Sequence, residues 1–386
     1  MFKLIKELLK IKSTNGVTIE NQEMIVKEFP SFDFSYFSNH TMIDVVMVPK
    51  SSDNDKIVLH IPQDMMDSIE LKMGDHFHIQ YKHNFEIINI VNTNINQRQN
   101  PRIEIPSNDL MSITNNSMGF LKVKKGITIQ EKISNKGSGN VSVEDFSGNE
   151  ISNDSMGKIT VKNIETNILK LSSNGSGNLE IVDGSIEFLK SDTNSMGNVK
   201  INAQIVSAQI KSNGSGNTNI SSVSDDVSIK LQSMGSVSVM GSVIEKAIVS
   251  SSGSGKVSIN NIDTQMIDIN LTSMGNVEVT RSATEAEIKS SGSGNIKGNF
   301  ASAMVNVNMS SMGNVHIEPS KVLIAKIKGM GNLNLLGNHV LESVEIQLSS
   351  MGRLKSGDVS THSLTVNGKS EQCDMHVVSN SKKNRI

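Results

Sequence analysis

The sequence predicts an all-β protein: a parallel β-helix (β-solenoid) of about 20-residue rungs, preceded by a small N-terminal β module. Three observations predict it. A glycine-ended triplet recurs at nearly constant spacing, apolar residues alternate with polar ones between the triplets, and the composition changes abruptly near residue 110. Repeats of this period cannot close a core singly but can bury one when stacked.

The first element is the lead, 1–27, in which "MFKLIKELLKIKS" sets Leu4, Ile5, Leu8, Leu9 and Ile11 among four lysines. That pattern suits a first helix or strand packed on the domain behind it. It has neither the continuous apolar segment nor the small-residue cleavage site of a secretion signal. We therefore expect a cytoplasmic protein. No stretch approaches the ~18–20 apolar residues of a transmembrane helix.

The N-terminal β module, 28–110, holds most of the aromatic residues and five of the six prolines, but apart from Gly74 no glycine. Its segments read as short strands. "SIELKMGDHFHIQYKH" (68–83) alternates around a turn at Gly74-Asp75, and Pro101 and Pro106 bracket an edge-type strand.

From 111 to 365 the repeat takes over. The last glycine of each triplet stands at Gly119, Gly139, Gly157, Gly177, Gly197, Gly216, Gly235, Gly255, Gly275, Gly294, Gly313, Gly331 and Gly352, in steps of 18 to 21 residues. In "MIDINLTSMGNVEV", Ile267, Ile269, Leu271, Ser273, Gly275, Val277 and Val279 share one parity, which is a strand signal. The triplets alternate between Ser-Met-Gly and Gly-Ser-Gly, with "KGMGNLNL" (328–335) as a hybrid. Carried through the triplet, the parity points Ser and Gly inward, as expected where two backbones approach too closely for larger side chains. The Asn that comes next is expected at a bend because it tolerates left-handed backbone. The polar remainder, 366–386, reads as a frayed tail.

The methionines Met118, Met156, Met196, Met234, Met274, Met312, Met330 and Met351 form one column. Strict parity turns them outward. A true corner lets the parity slip, and the Met column would then pack large-against-small beside Ser on neighbouring rungs. We expect packing or partial burial. An exposed interaction stripe is the alternative, followed by soft-metal binding, although neither Cys nor His accompanies the column.

The serial "GSGNLEI", "GSGNTNI", "GSGKVSI" and "GSGNIKG" units, with the opening "VKEFPSFDFSYFSNHTMIDVVMVPKSSDNDKIVLHI", resemble the head GIN domain family, adhesins of bacterial surfaces, over roughly residues 25 to 365. The resemblance implies a parallel β-helix, a role in adhesion or binding, and a cell-surface setting as the alternative to the cytoplasm. It brings no catalytic residues with it. The Met at every second triplet departs from the family's small central residue.

The chemistry-bearing residues are sparse. His76 and His78 share a strand face with His83 nearby, but spacing fixes no third ligand, and Phe77 and Ile79 look like the buried face. Asp225-Asp226, next to Val227 in an irregular insert, is an acidic pair within the repeats and is expected on a surface loop. As neighbours on a strand, the two would point to opposite faces. Cys373, the only cysteine, lies near His362 and His376 in a polar region without a pocket. The triplets lack the Lys-Ser/Thr and following helix of a phosphate loop. The acceptor-like Asn174, Asn213 and Asn270 matter only in a secreted chain. Lys and Arg (37) nearly balance Asp and Glu (39), so no basic surplus points to nucleic acid. The expected function is a non-enzymatic, adhesin-like binding or scaffold protein without metal or cofactor. Its partner would be a protein or a glycan, or the chain would associate with itself. The alternatives are a carbohydrate-active enzyme on a β-helix and a self-assembling structural protein.

Overall fold

Parallel pairing at an offset of one repeat organises the chain. In the computed structural model, which describes residues 24–53, 55–82, 101–241, 245–368 and 370–378, Leu121 pairs with Val141, Val141 with Ile159, and Ile159 with Leu179. The same column continues through Val199, Thr218, Val237, Val257, Val277, Ile296, Val315, Leu333 and Leu354. Each of these side chains is buried. A second inward column runs from Phe37 through Ile113, Ile133, Ile151 and Leu171 on the other side of the triplet. The protein is therefore a parallel β-solenoid of about 13 turns with ~20-residue rungs, 65% strand and 2% helix. β-branched Ile and Val suit these positions because their stiff side chains pack on a pleated surface.

The composition change near residue 110 does not interrupt the sheet. Tyr36–Asn39 and Asp44–Pro49 pair in parallel with Leu110–Asn115 and Leu121–Asn135, so residues 36–49 form a rung themselves. The strands around this rung are partly antiparallel. Met24–Pro30 runs against Lys56–Pro62, which runs against Arg102–Ser107, and Ile69–Lys72 forms a hairpin with His76–Tyr81 about the turn expected at Gly74. Phe32, Phe34, Phe37 and Phe77 pack edge-on or tilted at 4.9–6.4 Å between ring centroids. This explains where the aromatics concentrate: large rings seal the end of a stack whose interior rungs, Phe146 apart, bury aliphatics. Covering the end also removes a free edge. The lead before residue 24 and His83 lie outside the described residues.

At the other end, residues 366–368 and 370–378 do not form a separate tail, and 379–386 lie outside the described residues. Leu364–Gly368 pairs with Ser343–Leu348, and His376–Val377 with Ser360–Thr361. Backbone hydrogen bonds from side chains pin this last turn, as when Asp374 Oδ1 accepts from the Ser356 amide at 2.6 Å.

Candidate functional site

The triplets stack into one edge of the solenoid, and the reason is steric. A Cβ on Gly139 would overlap the carbonyl oxygen of Gly119 one rung below, and a Cβ on Gly175 would overlap that of Ser155. None of the thirteen closing glycines has a left-handed φ, so close backbone approach, and not backbone freedom, requires them. Ile43 holds the equivalent place in the first rung, and it is over the Ile43 carbonyl that a Cβ on Gly119 would fall.

The first triplet position alternates for a related reason. In the Ser-Met-Gly rungs from Ser117 to Ser311 the serine is buried, and except at Ser233, which bonds Ser212, its hydroxyl bonds within its own triplet. Ser117 Oγ accepts from the Gly119 amide at 2.7 Å, and Ser195 Oγ donates to the Gly197 carbonyl at 2.9 Å. The rungs between them carry glycine there, over whose Cα the serine carbonyl lies. A buried asparagine braces the corner at the first rungs: Asn135 Nδ2 donates to the Gly139 carbonyl at 2.9 Å and Asn153 Nδ2 to that of Gly157 at 3.1 Å.

The asparagines after the triplets serve a different purpose from the one expected. Among the described residues the non-glycine positive φ values belong to Asn261 and Arg281, not to these positions. The asparagines instead form a ladder. Asn178 Oδ1 accepts from the Asn198 amide at 2.8 Å, Asn198 from Asn217 at 3.0 Å, and Asn217 from Ser236 at 2.9 Å. Asn276, Asn295 and Asn314 continue it. Asp44 begins it by accepting from the Phe120 amide. Two positions before the Met column runs a second ladder, from Asp154 through Asn174 and Asn194 to Asn213.

Between the two ladders lie the methionines, and here the packing expectation is corrected. Met118, Met156, Met196, Met234, Met274, Met312, Met330 and Met351 are all exposed, from 51% to 74%. The neighbouring glycines leave no inward space, so the side chain can only turn out. Where the period places Ser instead, as at Ser138, Ser176, Ser215, Ser254 and Ser293, that residue is exposed as well. The edge is thus a three-column surface: a polar column of mixed residues that includes Asn174, Asn194 and Asn213, then alternating Met and Ser, then an asparagine-rich column. Where lysine replaces the ladder Asn, at Lys158 and Lys256, it bonds Glu180 and Glu278 of the next rung. These hydrogen bonds hold both glutamates below the usual carboxylate range.

The other candidate residues fall elsewhere. Phe77 and Ile79 are buried as expected, and His76 and His78 lie outside them, with Tyr36 stacked on His76 at 4.4 Å and His40 5.9 Å from His78. Burial, then His78, lowers the pKa of His40. Cys373 is half-buried, which raises its thiol pKa and disfavours the thiolate. Asp225 and Asp226 sit outside any strand, in the irregular insert, but the expectation that they diverge is corrected: their carboxylate oxygens lie within 4.8 Å of one another and of Glu245. The signal available was the period, since Glu245 comes one rung later. Asp226 and Glu245 are exposed, and the Asp226 carboxylate is already engaged by the Lys246 amide at 3.0 Å. Two shallow grooves, of about 290 and 440 Å³, mark the flat sides. Glu287, Lys289 and Asn306 help line the first, and Glu165, Glu187 and Gln204 the second.

Stacked, register-locked rungs and long columns of exposed side chains define a repeat protein of the β-solenoid class, with chemistry spread along its faces. The chain belongs to the family described as "Putative auto-transporter adhesin, head GIN domain", whose model matches residues 40–243 and 244–339. Two crystal structures are similar to it, each titled as a "putative adhesin". The one from Bacteroides fragilis NCTC 9343 is 11% identical with a TM-score of 0.38, covering 74% of this chain and 97% of that one. The one from Parabacteroides merdae ATCC 43184 is also 11% identical with a TM-score of 0.23, covering 93% and 98%. None of the curated proteins matches the chain. No helix among the described residues is long and apolar enough to cross a membrane.

Proposed function

We propose that this protein is a non-enzymatic, adhesin-like binding protein that engages a protein or glycan partner through its long faces. The observation that carries the reading is the regular column surface. Side chains repeated at every rung offer many equivalent weak contacts, and affinity then accumulates with length. Family membership supports the same role, and it supports a cell-surface setting over the cytoplasmic one expected from the lead. The test is binding of the full chain and of a two-rung deletion to a glycan array and to immobilised extracellular-matrix proteins. A graded loss on deletion supports the reading; an all-or-none loss points to a single discrete site and refutes it. Surface labelling of intact source cells with an impermeant amine reagent tests the setting, and a protected protein overturns it.

The carbohydrate-active alternative has one observation in its favour, the converging carboxylates of Asp225, Asp226 and Glu245. They stand in the open, without walls to exclude water or hold a sugar ring. Glycan turnover abolished by Asp226→Asn would replace the binding reading with the enzymatic one.

A further inference from the structure

We infer that the Met/Ser edge is a self-docking surface: two copies pack antiparallel along it, each methionine of one seated over a serine of the other.

The warrant is the alternation itself. Exposed methionine is soft, apolar and unbranched, so a row of eight is a poor solvated surface and a good packing one. From Ser138 to Met312 the column reads Ser, Met, Ser, Met over ten consecutive rungs, with large and small residues in strict turn. Rungs stack at about 4.8 Å, so the methionines stand about 9.6 Å apart with a serine gap between. Such a row is complementary to itself in one orientation. Two copies related by an axis along the solenoid would set Met on Met and gap on gap. An axis across it reverses the order of the rungs, and Met can then fall opposite Ser at every position.

Charge selects the register. The thirty positions of the three columns over these rungs include four charged residues: Lys136, Asp154, Lys158 and Lys256. Placing the two-fold axis between Ser215 and Met234 sets Ser138 opposite Met312 and Met156 opposite Ser293. Lys158 then faces Asn295, and Lys256 faces Asn198. A shift of the axis to lie between Met196 and Ser215 keeps Met over Ser but sets Lys158 against Lys256, a like-charge contact that disfavours that register. On the flank after the triplets, Asn178, Asn198 and Asn217 spend their Oδ1 on the next rung's amide, which leaves their Nδ2 groups to donate across the contact. Dry interdigitation flanked by asparagine ladders is how stacked β-structures pack side by side.

The area suffices. Ten rungs span about 48 Å, and three columns two residues apart along the chain span about 14 Å, giving roughly 700 Å² per copy. The two copies together bury about 1,400 Å², the size of a standard specific interface. The resulting dimer is isologous and closed, so it ends at two copies without growing into fibres. Both flat sides of each copy stay free, and the proposal holds whatever those sides bind.

The test is the mass of the full chain by light scattering at about 100 µM, followed by zero-length cross-linking. The expected result is twice the 41.9 kDa of one chain for the wild type, and a single chain for Met156→Ser/Met196→Ser/Met234→Ser/Met274→Ser. Because these side chains are exposed, that variant should keep the wild-type circular dichroism. With Cys373→Ser as background, the pair Ser138→Cys/Met312→Cys should give a disulfide-linked dimer under mild oxidation, and Ser176→Cys/Met312→Cys should not. A monomeric wild type overturns the proposal, as does a dimer that survives loss of the methionines or a cross-link from the second pair. Loss of glycan or matrix binding by the Met→Ser variant of a monomeric wild type would assign the edge to a different partner, and self-docking would be rejected while the binding reading stood.

Discussion

Replacing Gly216 by Ala tests the stacking directly. A Cβ there would overlap the carbonyl oxygen of Gly197, and both partners are backbone, so no flexible side chain can move away. Relief requires the two neighbouring rungs to separate locally. That would strain the Gly216 amide's bond to the Ser195 carbonyl at 3.0 Å and the Asn217 amide's bond to Asn198 Oδ1 at 3.0 Å. Each is worth about 1 kcal/mol net, and overpacking a tight contact adds about 1–3 kcal/mol, so the substitution should cost about 3–5 kcal/mol. With unfolding entropy near 2.1 cal/mol/K per residue, a chain of this length loses about 1.2 °C per kcal/mol, or roughly 4–6 °C. The assay is thermal unfolding followed by circular dichroism, with the exposed Ser215→Ala as a control expected to stay within about 1 °C. A Gly216→Ala protein that melts with the wild type would refute the claim that backbone contact dictates the glycine column.

The same geometry has other measurable outcomes. Asn198→Ala removes the acceptor for the Asn217 amide, so its amide exchange should accelerate by about fivefold to tenfold in mass spectrometry while the fold is retained. Gly175→Ser would put a side chain onto the Ser155 carbonyl and should cost as much as Gly216→Ala; Ser155→Gly should cost only about 1–2 kcal/mol, read as a shift in urea midpoint. The pH dependence has a definite sign. Burial lowers the pKa of His40 and His316 below the ordinary value of 6.5, so the native state binds fewer protons than the unfolded chain. Melting temperature should therefore fall as pH drops through 6.5, and His40→Gln/His316→Gln should flatten that limb. The lowered pKa values of Glu180 and Glu278 act in a different window: their contribution is present above the ordinary 4.5 and is lost as pH falls below it, so Lys158→Met should blunt the acid limb alone.

Much of this fold is legible in the sequence because two rules are local. Side-chain parity along a strand needs only neighbouring residues, and Val277 and Val279 fall inward as alternation requires. The glycine column is legible because the residue type reports the space available. Parity in fact carries through the triplet, with Leu271, Ser273, Gly275 and Val277 buried and Met274 exposed; it is the assumption that a corner lets parity slip that suggests packed methionines where the structure has exposed ones. The asparagine ladder is hidden because its partners are a whole rung apart, and Asn is common at bends for an unrelated reason. The rung at 36–49 escapes a search for triplets because its corner, "NHTMID", has Ile43 where later rungs need glycine. The pattern Asn-x-Thr-Met, shared with Asn115-x-Ser-Met, is the available clue. Asp225, Asp226 and Glu245 meet in an irregular insert, where strand parity does not apply.

The alternation of buried serine and glycine at the first triplet position has a consequence for how such a rod can change length. Excising or duplicating a single rung would bring two serines, or two glycines, into contact at the seam; excising or duplicating two leaves every neighbour as before. Removal of residues 198–235 should thus yield a shorter folded protein, and removal of 198–216 a damaged one. Descent by tandem duplication would then proceed in pairs, and the rod would measure its length in doublets of about 39 residues, a ruler graduated in twos.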